Sequence, residues 1–151
     1  NIRKGKITDM PAVLSLIQEL AVFEKEPDAV VVTVADLERD GFGEKPLFHV
    51  FVAEIDTDEN HKEIVGIAFY YYRYSTWKGK RLYLEDLIVR EKFRGFGYGK
   101  LLFNATVEKA KETNCTGMMW QVLDWNKPAI DFYKTYGTRF DSEWLNCHLD
   151  F

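Results

Sequence analysis

A short glycine-rich segment between a predicted strand and a predicted helix constrains this chain more than any other feature. Residues 94–100 read Arg-Gly-Phe-Gly-Tyr-Gly-Lys. Glycines at alternate positions let the backbone approach a ligand closely and leave N–H groups facing outward. The helix that follows adds the partial positive charge of its N-terminus. The segment therefore predicts a pyrophosphate-binding turn. A turn whose glycines serve only tight packing is the alternative.

The spacing of the glycines excludes two common phosphate-binding motifs. A dinucleotide-binding G-x-G-x-x-G would need its third glycine at position 100 or 102, and neither position holds one. A Walker P-loop would need glycine at position 94 and Ser or Thr at position 101, which are also absent. The pattern that fits is R-x-x-G-x-G, formed by Arg94, Gly97 and Gly99.

Size and charge exclude several classes of protein. The 151 residues fit one domain, so we expect a single domain over residues 1–151. Hydrophobic residues make up 46% of the chain, which excludes a disordered protein. A net charge of −4 argues against a nucleic-acid binder. The apolar stretch 67–72 is far shorter than the ~20 residues of a membrane span, so no membrane partner is expected.

The cysteines and histidines form no pattern typical of a metal site or a disulfide framework. The chain has two cysteines, Cys115 and Cys147, and three scattered histidines. We therefore expect no metal, and a reducing cytoplasm as the location.

Caps and hydrophobic spacing predict alternating groups of helices and strands. Helices are expected to begin at Asp9, with Pro11 in the first turn, and at Thr33, the second ending at Gly41. Further helices are predicted at 100–113 and 128–136, and strands at 47–55, 64–75, 82–89, 116–123 and 143–149. The order β-α-α-β-β-β-α-β-α-β predicts a mixed sheet with helices on both faces, not a doubly wound fold.

Five stretches occur in the order found in the GNAT N-acetyltransferase superfamily, which the chain resembles. They are Ile2-Arg3, the helix capped by Asp9, the strand 82–89, the turn 94–99, and the stretch 124–133. The sequence of residues 38–46, 83–86 and 94–97 is similar to that of the diamine (spermidine/spermine) N-acetyltransferase branch, including its thialysine-acetylating relative. The resemblance implies a mixed α/β (α+β) fold. Its mostly antiparallel sheet would have six or seven strands flanked by about four helices. It also implies a homodimer.

The resemblance implies acetyl-CoA as the cosubstrate. The end of the strand would present backbone groups to the pantetheine arm, the glycine-rich turn would hold the pyrophosphate, and an asparagine before the last helix would add a contact. The implied cofactor-binding residues are Leu87, Ile88, Val89, Arg94, Gly95, Phe96, Gly97, Tyr98, Gly99, Lys100 and Asn126.

The resemblance also implies an amine site. Glu85 would serve the attacking amine, Asp86 would add negative charge, and Phe23 and Glu24 would border the site. Tyr133 would stand beside the thioester sulfur and protonate it as it leaves.

Glu85 raises a chemical difficulty of its own. The ordinary pKa of a glutamate, ~4.3, is poorly matched to an amine of pKa ~10.4 unless the site raises it or a water carries the proton. We favour the water relay. Adjacent residues of a regular strand point to opposite faces, so at most one of Glu85 and Asp86 is expected to face the amine.

Aromatic residues around the second predicted strand divide into two groups. Residues 69–72 are expected to be core, because aromatics on both faces of a central strand usually are. Trp77, in the turn after that strand, is a candidate wall of the amine site, where its ring would attract a cation.

The predicted function is direct transfer of an acetyl group from acetyl-CoA to the primary amine of a small cationic metabolite. The amine is a diamine, a polyamine or a lysine-like compound such as thialysine. Ser75 stands where the polyamine enzymes carry an acidic residue, so spermine specificity is not carried over. Two alternatives remain: a protein or peptide N-acetyltransferase of the same fold, and a non-catalytic acyl-CoA-binding regulator.

Overall fold

One five-stranded sheet organises the protein. The computed structural model describes the whole of Asn1–Phe151 apart from the side chain of Glu59. Strands follow one another in chain order across the sheet, antiparallel from β1 to β4, with β5 parallel to β4. The strands are β1 (Ile2–Lys4), β2 (His49–Asp56), β3 (Lys62–Ser75), β4 (Gly79–Val89) and β5 (Met118–Trp120). The helices are α1 (Met10–Phe23), α2 (Val34–Phe42), α3 (Tyr98–Glu112) and α4 (Lys127–Lys134).

The chain forms two compact units. Asn1–Trp120 contains the sheet with α1, α2 and α3, and Gln121–Phe151 contains α4 and the segment after it. The single domain over residues 1–151 stays a prediction.

Helices cover both faces of the sheet in the first unit. On one face, α1 and α2 bury an apolar stripe against β2, β3 and β4, with Met10, Leu16, Val52, Ile67 and Ile88 at its centre. On the other face, α3 contacts β2, β3 and β4 through a stripe that includes Leu102 and Phe103. Helical spacing of apolar residues thus places α1 and α3 as the sequence predicts.

The sheet has five strands, and the prediction of six or seven is wrong. The predicted strand at 143–149 does not form, and β5 is shorter than the predicted 116–123. Alternating Leu145, Cys147 and Leu149 suit a strand, but a strand forms only where another one pairs with it. The side chains there are largely exposed, 72% for Trp144 and 87% for Leu145.

Two residues expected to cap or end a helix, Asp9 and Gly41, have other roles. Gly41 does not end α2, which continues to Phe42. A Cβ at Gly41 would collide with the ring of Phe48, so this glycine permits close packing. Asp9 precedes α1, but its carboxylate binds the Arg3 guanidinium and the Lys6 N–H, not the amides of α1.

Candidate active site

A β-bulge in β4 places both predicted carboxylates beside the same tyrosines. Phe69 pairs with Asp86 and the next residue, Tyr70, pairs with Leu84, so Glu85 is an extra residue in the ladder. A bulge interrupts the alternation of side chains. The expectation that Glu85 and Asp86 point to opposite faces assumed a regular strand, and the bulge removes that basis. Which of the two carboxylates faces the amine stays a prediction.

The tyrosines beside the bulge are Tyr71 and Tyr83. They pair across β3 and β4 and stack with ring centroids 5.2 Å apart. Burial, and after it the charge of Glu85, raises the pKa of both tyrosines, and Asp86 adds to the effect. The charges of both carboxylates therefore act on this tyrosine pair.

Glu24, Glu85 and Asp86 form what we call the acidic cluster. Glu24 follows the last residue of α1. Desolvation raises the pKa of Glu24 and of Glu85. Burial, then the charges of Glu85 and Glu24, raise the pKa of Asp86 to about 7. Among the residues that the structure describes, no ion pair joins a Lys or Arg to these three carboxylates. Their charge is uncompensated, so the cluster favours a cation.

Aromatic side chains form the surface next to the cluster. Phe69 and Tyr71 are half-buried on the face covered by α1 and α2. The prediction that residues 69–72 are core is therefore confirmed only in part. The position of Tyr71 and Tyr83 next to the two carboxylates is not predicted by the sequence. Only the strand register reveals it, because no sequence signal marks which residues stand opposite each other.

The structure brings Phe23, but not Trp77, to this end of the hairpin. Phe23 ends α1 and is adjacent to Glu24. Trp77 is 83% exposed in the turn beyond the Ser75–Gly79 pair. Six strand residues from Phe69 to Ser75 cover about 20 Å, so Trp77 lies at the far end from the cluster.

The edge of β4 lies open next to the bulge. β5 pairs with β4 only from Leu82 to Leu84. Beyond that point, within the described residues, no strand pairs with the β5 side of β4, where Leu87, Ile88 and Val89 follow. An extended ligand arm can add to such an edge as a strand does. The Val89 carbonyl already accepts a 2.8 Å hydrogen bond from Arg94 Nε.

The glycine-rich turn connects this edge to α3. Gly95 and Gly97 have φ angles of 86° and 88°, in the left-handed region that favours glycine. A Cβ at either position would meet no atom within 4 Å, so tight packing does not explain them. α3 begins at Tyr98, so Tyr98, Gly99 and Lys100 belong to its first turn, not to a loop before it. The open space and the first-turn amides suit an anionic group.

Arg94 links the turn to the end of α1. Its guanidinium carbon lies 5.7 Å from the ring centroid of Phe23. The turn, the open edge of β4 and the acidic cluster therefore meet in one region of the first unit.

Comparison with known proteins identifies the family of this chain. Residues 12–138 match the acetyltransferase (GNAT) family. The chain belongs to this family. It is 42% identical over 141 residues to the thialysine N-epsilon-acetyltransferase of Bos taurus, covering 91% of this chain and 83% of that protein. It is 41% identical over 138 residues to the human spermidine/spermine N(1)-acetyltransferase-like protein 1, covering 90% of this chain and 20% of that protein.

A solved structure shares the fold of this GNAT protein. An aminoglycoside acetyltransferase from an uncultured soil metagenomic sample superposes with a TM-score of 0.76 at 22% identity, covering 100% of this chain and 95% of that one. The mixed α/β GNAT fold is confirmed. The family match and the relatives at about 42% identity show that the chain is an amine N-acetyltransferase.

The second unit of the acetyltransferase contains two of the predicted site residues. The side-chain oxygen of Asn126 accepts a hydrogen bond from the Ala129 N–H at 3.4 Å, so it caps α4. Tyr133 lies in α4 and is 7% exposed. Its carbonyl accepts a 2.7 Å hydrogen bond from the Thr138 hydroxyl, and its ring lies 5.5 Å from that of Phe132. The catalytic role of Tyr133 and the cofactor contact of Asn126 stay predictions.

Two kinds of feature are absent from the described residues. No three His, Cys, Asp or Glu side chains lie together as they would around a metal ion. No helix has the length and apolar character to cross a membrane.

Proposed function

We propose that this acetyltransferase moves an acetyl group from acetyl-CoA directly onto the primary amine of a small cationic metabolite. The observation that carries the proposal is the acidic cluster, three carboxylates without a basic partner among the described residues. Such a site attracts an ammonium group, and a raised carboxylate pKa prepares it to accept a proton.

The residues of the turn and of the open edge fit the cosubstrate. Backbone groups of Leu87, Ile88 and Val89 hold the extended pantetheine arm, and the turn with the first residues of α3 holds the pyrophosphate. This assignment is supported by the open β4 edge and by two glycines with positive φ and empty space above them. When bound, acetyl-CoA supplies a thioester whose carbon–sulfur bond is replaced by a carbon–nitrogen bond to the amine.

Glu85 and Asp86 accept the proton that the ammonium loses. An alkylamine has a pKa near ~10.4, so it reaches the site protonated. Asp86, with a pKa of about 7, is better matched to this task than a carboxyl at its ordinary pKa. Glu85 lies beside it at the exposed bulge and passes the proton through a water. The two carboxylates titrate as a coupled pair, so the proton belongs to the pair.

Tyr133 donates a proton to the thiolate of coenzyme A as it leaves. A phenol with an ordinary pKa near ~10 can donate to a thiolate across a short hydrogen bond. This role is supported by the sequence resemblance, as is the contact of Asn126 with the cosubstrate. No acyl-enzyme is part of the proposal. A trapped acetyl adduct on Cys115 would contradict it.

Two broader properties belong to the same proposal. A homodimer is supported by the sequence resemblance. A cytoplasmic location is supported by the cysteine usage, since Cys115 and Cys147 are both free.

Thiol release from acetyl-CoA in the presence of an amine panel tests the function. The panel contains putrescine, spermidine, spermine, lysine, thialysine and a lysine-bearing peptide. Fast release with one or more small amines is expected. Preference for the peptide would support a protein acetyltransferase instead. Tight acetyl-CoA binding with no release for any amine would support the non-catalytic regulator and end the proposal.

A further inference from the structure

The β3–β4 hairpin carries a row of side chains that starts at the acidic cluster and ends at a guanidinium. Alternate residues of a strand share one face. Along β3 these are Phe69, Tyr71 and Arg73, which pair with Asp86, Tyr83 and Arg81 on β4. Arg73 opposes the pKa-raising effect of the carboxylates on both tyrosines. The positive charge of Arg73 therefore acts on the tyrosine pair from the end of the row opposite the carboxylates.

The guanidinium of Arg73 is available to a ligand. The side chain is exposed, and its Nη1 donates to the Sδ of Met119 at 2.6 Å. A thioether is a weak acceptor. Within the described part of the chain, no carboxylate lies at ion-pair distance from Arg73.

Arg81, which pairs with Arg73 across the two strands, has a structural role. Its Nη2 donates to the Met118 carbonyl at 3.2 Å. It also packs over Gly117, where a Cβ would collide with the guanidinium. The two arginines are equal in charge but differ in accessibility, so only Arg73 is suited to bind a substrate.

We propose that Arg73 binds the carboxylate of the substrate and makes the enzyme prefer an amino acid with a side-chain amine over a polyamine. This inference rests on the proposed function, because the acidic cluster must hold the reacting amine. The stacked tyrosines form the floor between the two charged ends. The site then matches a substrate with a cation at one end and an anion at the other.

The backbone spacing of the row leaves room for such a substrate. Four strand residues from Phe69 to Arg73 cover about 13 Å between Cα atoms. Lysine extends about 7 Å from its amine to its carboxylate, as bond lengths of ~1.5 Å dictate. The remaining distance is within reach of the Arg73 side chain, which extends across β4 to Met119 of β5. A polyamine would instead place its distal ammonium near a guanidinium, where like charges repel.

Lysine and 1,5-diaminopentane, which is lysine without its carboxylate, make a matched pair of substrates. We expect a higher kcat/KM for lysine or thialysine than for the diamine. Arg73→Gln should lower kcat/KM for the amino acid about 10- to 100-fold, the range for a lost charge-assisted hydrogen bond. It should leave the diamine unchanged or improve it. Arg73→Lys, which keeps the charge, should restore part of the preference.

Lys78→Gln is the control variant. Lys78 is an exposed cation in the turn of the same hairpin and stands outside the row. Its removal should change both substrates equally and only slightly. Equal use of lysine and the diamine by the wild type would overturn the inference, as would an equal loss for both substrates in a thermally stable Arg73→Gln. Those results leave the proposed function intact, whereas absence of turnover with every amine would refute the proposed function itself.

Discussion

Two groups of carboxylates lie at opposite ends of α1 and differ in their partners. At the start of α1, Arg3 binds Asp9 at 2.7 Å and Glu54 at 2.9 Å, forming what we call the Arg3 network. At the end of α1, the acidic cluster has no such cation in the described chain. Burial raises the pKa of Asp9, but hydrogen bonds from Arg3 and the Lys6 N–H outweigh it and lower the pKa overall. The hydrogen bond from Arg3 likewise lowers the pKa of Glu54.

This contrast distinguishes structural charges from functional ones. The Arg3 network connects β1, β2 and the start of α1, and its charges satisfy one another. In the acidic cluster the same residue types repel one another, which costs stability that a bound cation or protonation of Asp86 can offset. A partner for each charge marks a structural site. Carboxylates that are partly desolvated and have no such partner mark a candidate ligand site.

The largest expected effect comes from removing the charge of Asp86. Asp86→Asn should lower kcat/KM by ~10²–10⁴, the usual contribution of a general base. It should also raise the Tm at pH 8, because a buried charge without a cation is removed. The folded-state pKa of about 7 exceeds the unfolded value of ~3.9, so wild-type stability falls relative to the variant as pH rises from ~4 to ~7. Retained activity would contradict the role, and a Tm loss at pH 8 would contradict the electrostatics.

The next effect separates the proton donor from the acceptor. Tyr133→Phe should lower kcat by ~10² or more, because the leaving thiolate loses its proton source. The fold should survive, and the pH dependence set by Glu85 and Asp86 should stay in place. Stopped-flow thiol release across pH measures both quantities. An unchanged kcat would remove Tyr133 from the mechanism.

The matching change in the Arg3 network should affect stability instead of activity. Asp9→Asn should lower the free energy of unfolding by about 1.5–3 kcal/mol, the range for hydrogen bonds to charged groups. The pKa of Asp9 is lowered in the folded state, so this loss should disappear as pH falls below ~4. Urea unfolding at pH 7 and at acid pH measures it. A loss of kcat per folded molecule in Asp9→Asn would contradict the assignment of the Arg3 network to stability alone.

The smallest effect is a shift of the pH profile. Glu85→Gln removes the group that passes the proton to a water, so kcat should fall. It also removes a negative charge that raises the pKa of Asp86, so the rising limb of kcat/KM should move to lower pH. Glu91→Gln, an exposed neutral substitution after β4, is the control and should leave the limb in place. A limb that stays in place in Glu85→Gln would show that the two carboxylates are not coupled.

Much of the fold could be predicted from local signals. Apolar spacing in α1 and α3 identifies each buried face, because a helix repeats every 3.6 residues whatever surrounds it. Gly95 and Gly97 mark the turn, because few other residues adopt a positive φ without strain. The predicted strand at 143–149 failed for the opposite reason. Alternation describes one strand, whereas strand formation depends on a partner elsewhere.

Local sequence signals are enough to predict the order of the elements as far as α4, the glycine-rich turn before α3 and the presence of Glu85 and Asp86 in β4. What those carboxylates can do depends on the tertiary structure. The bulge at Glu85, the stacking of Tyr71 on Tyr83 and the approach of Glu24 all depend on strand register and helix packing. The physical reason is that helix and turn preferences act over a few residues. The pKa of a carboxylate, by contrast, reflects every charge and every water-excluding group that the fold brings near it.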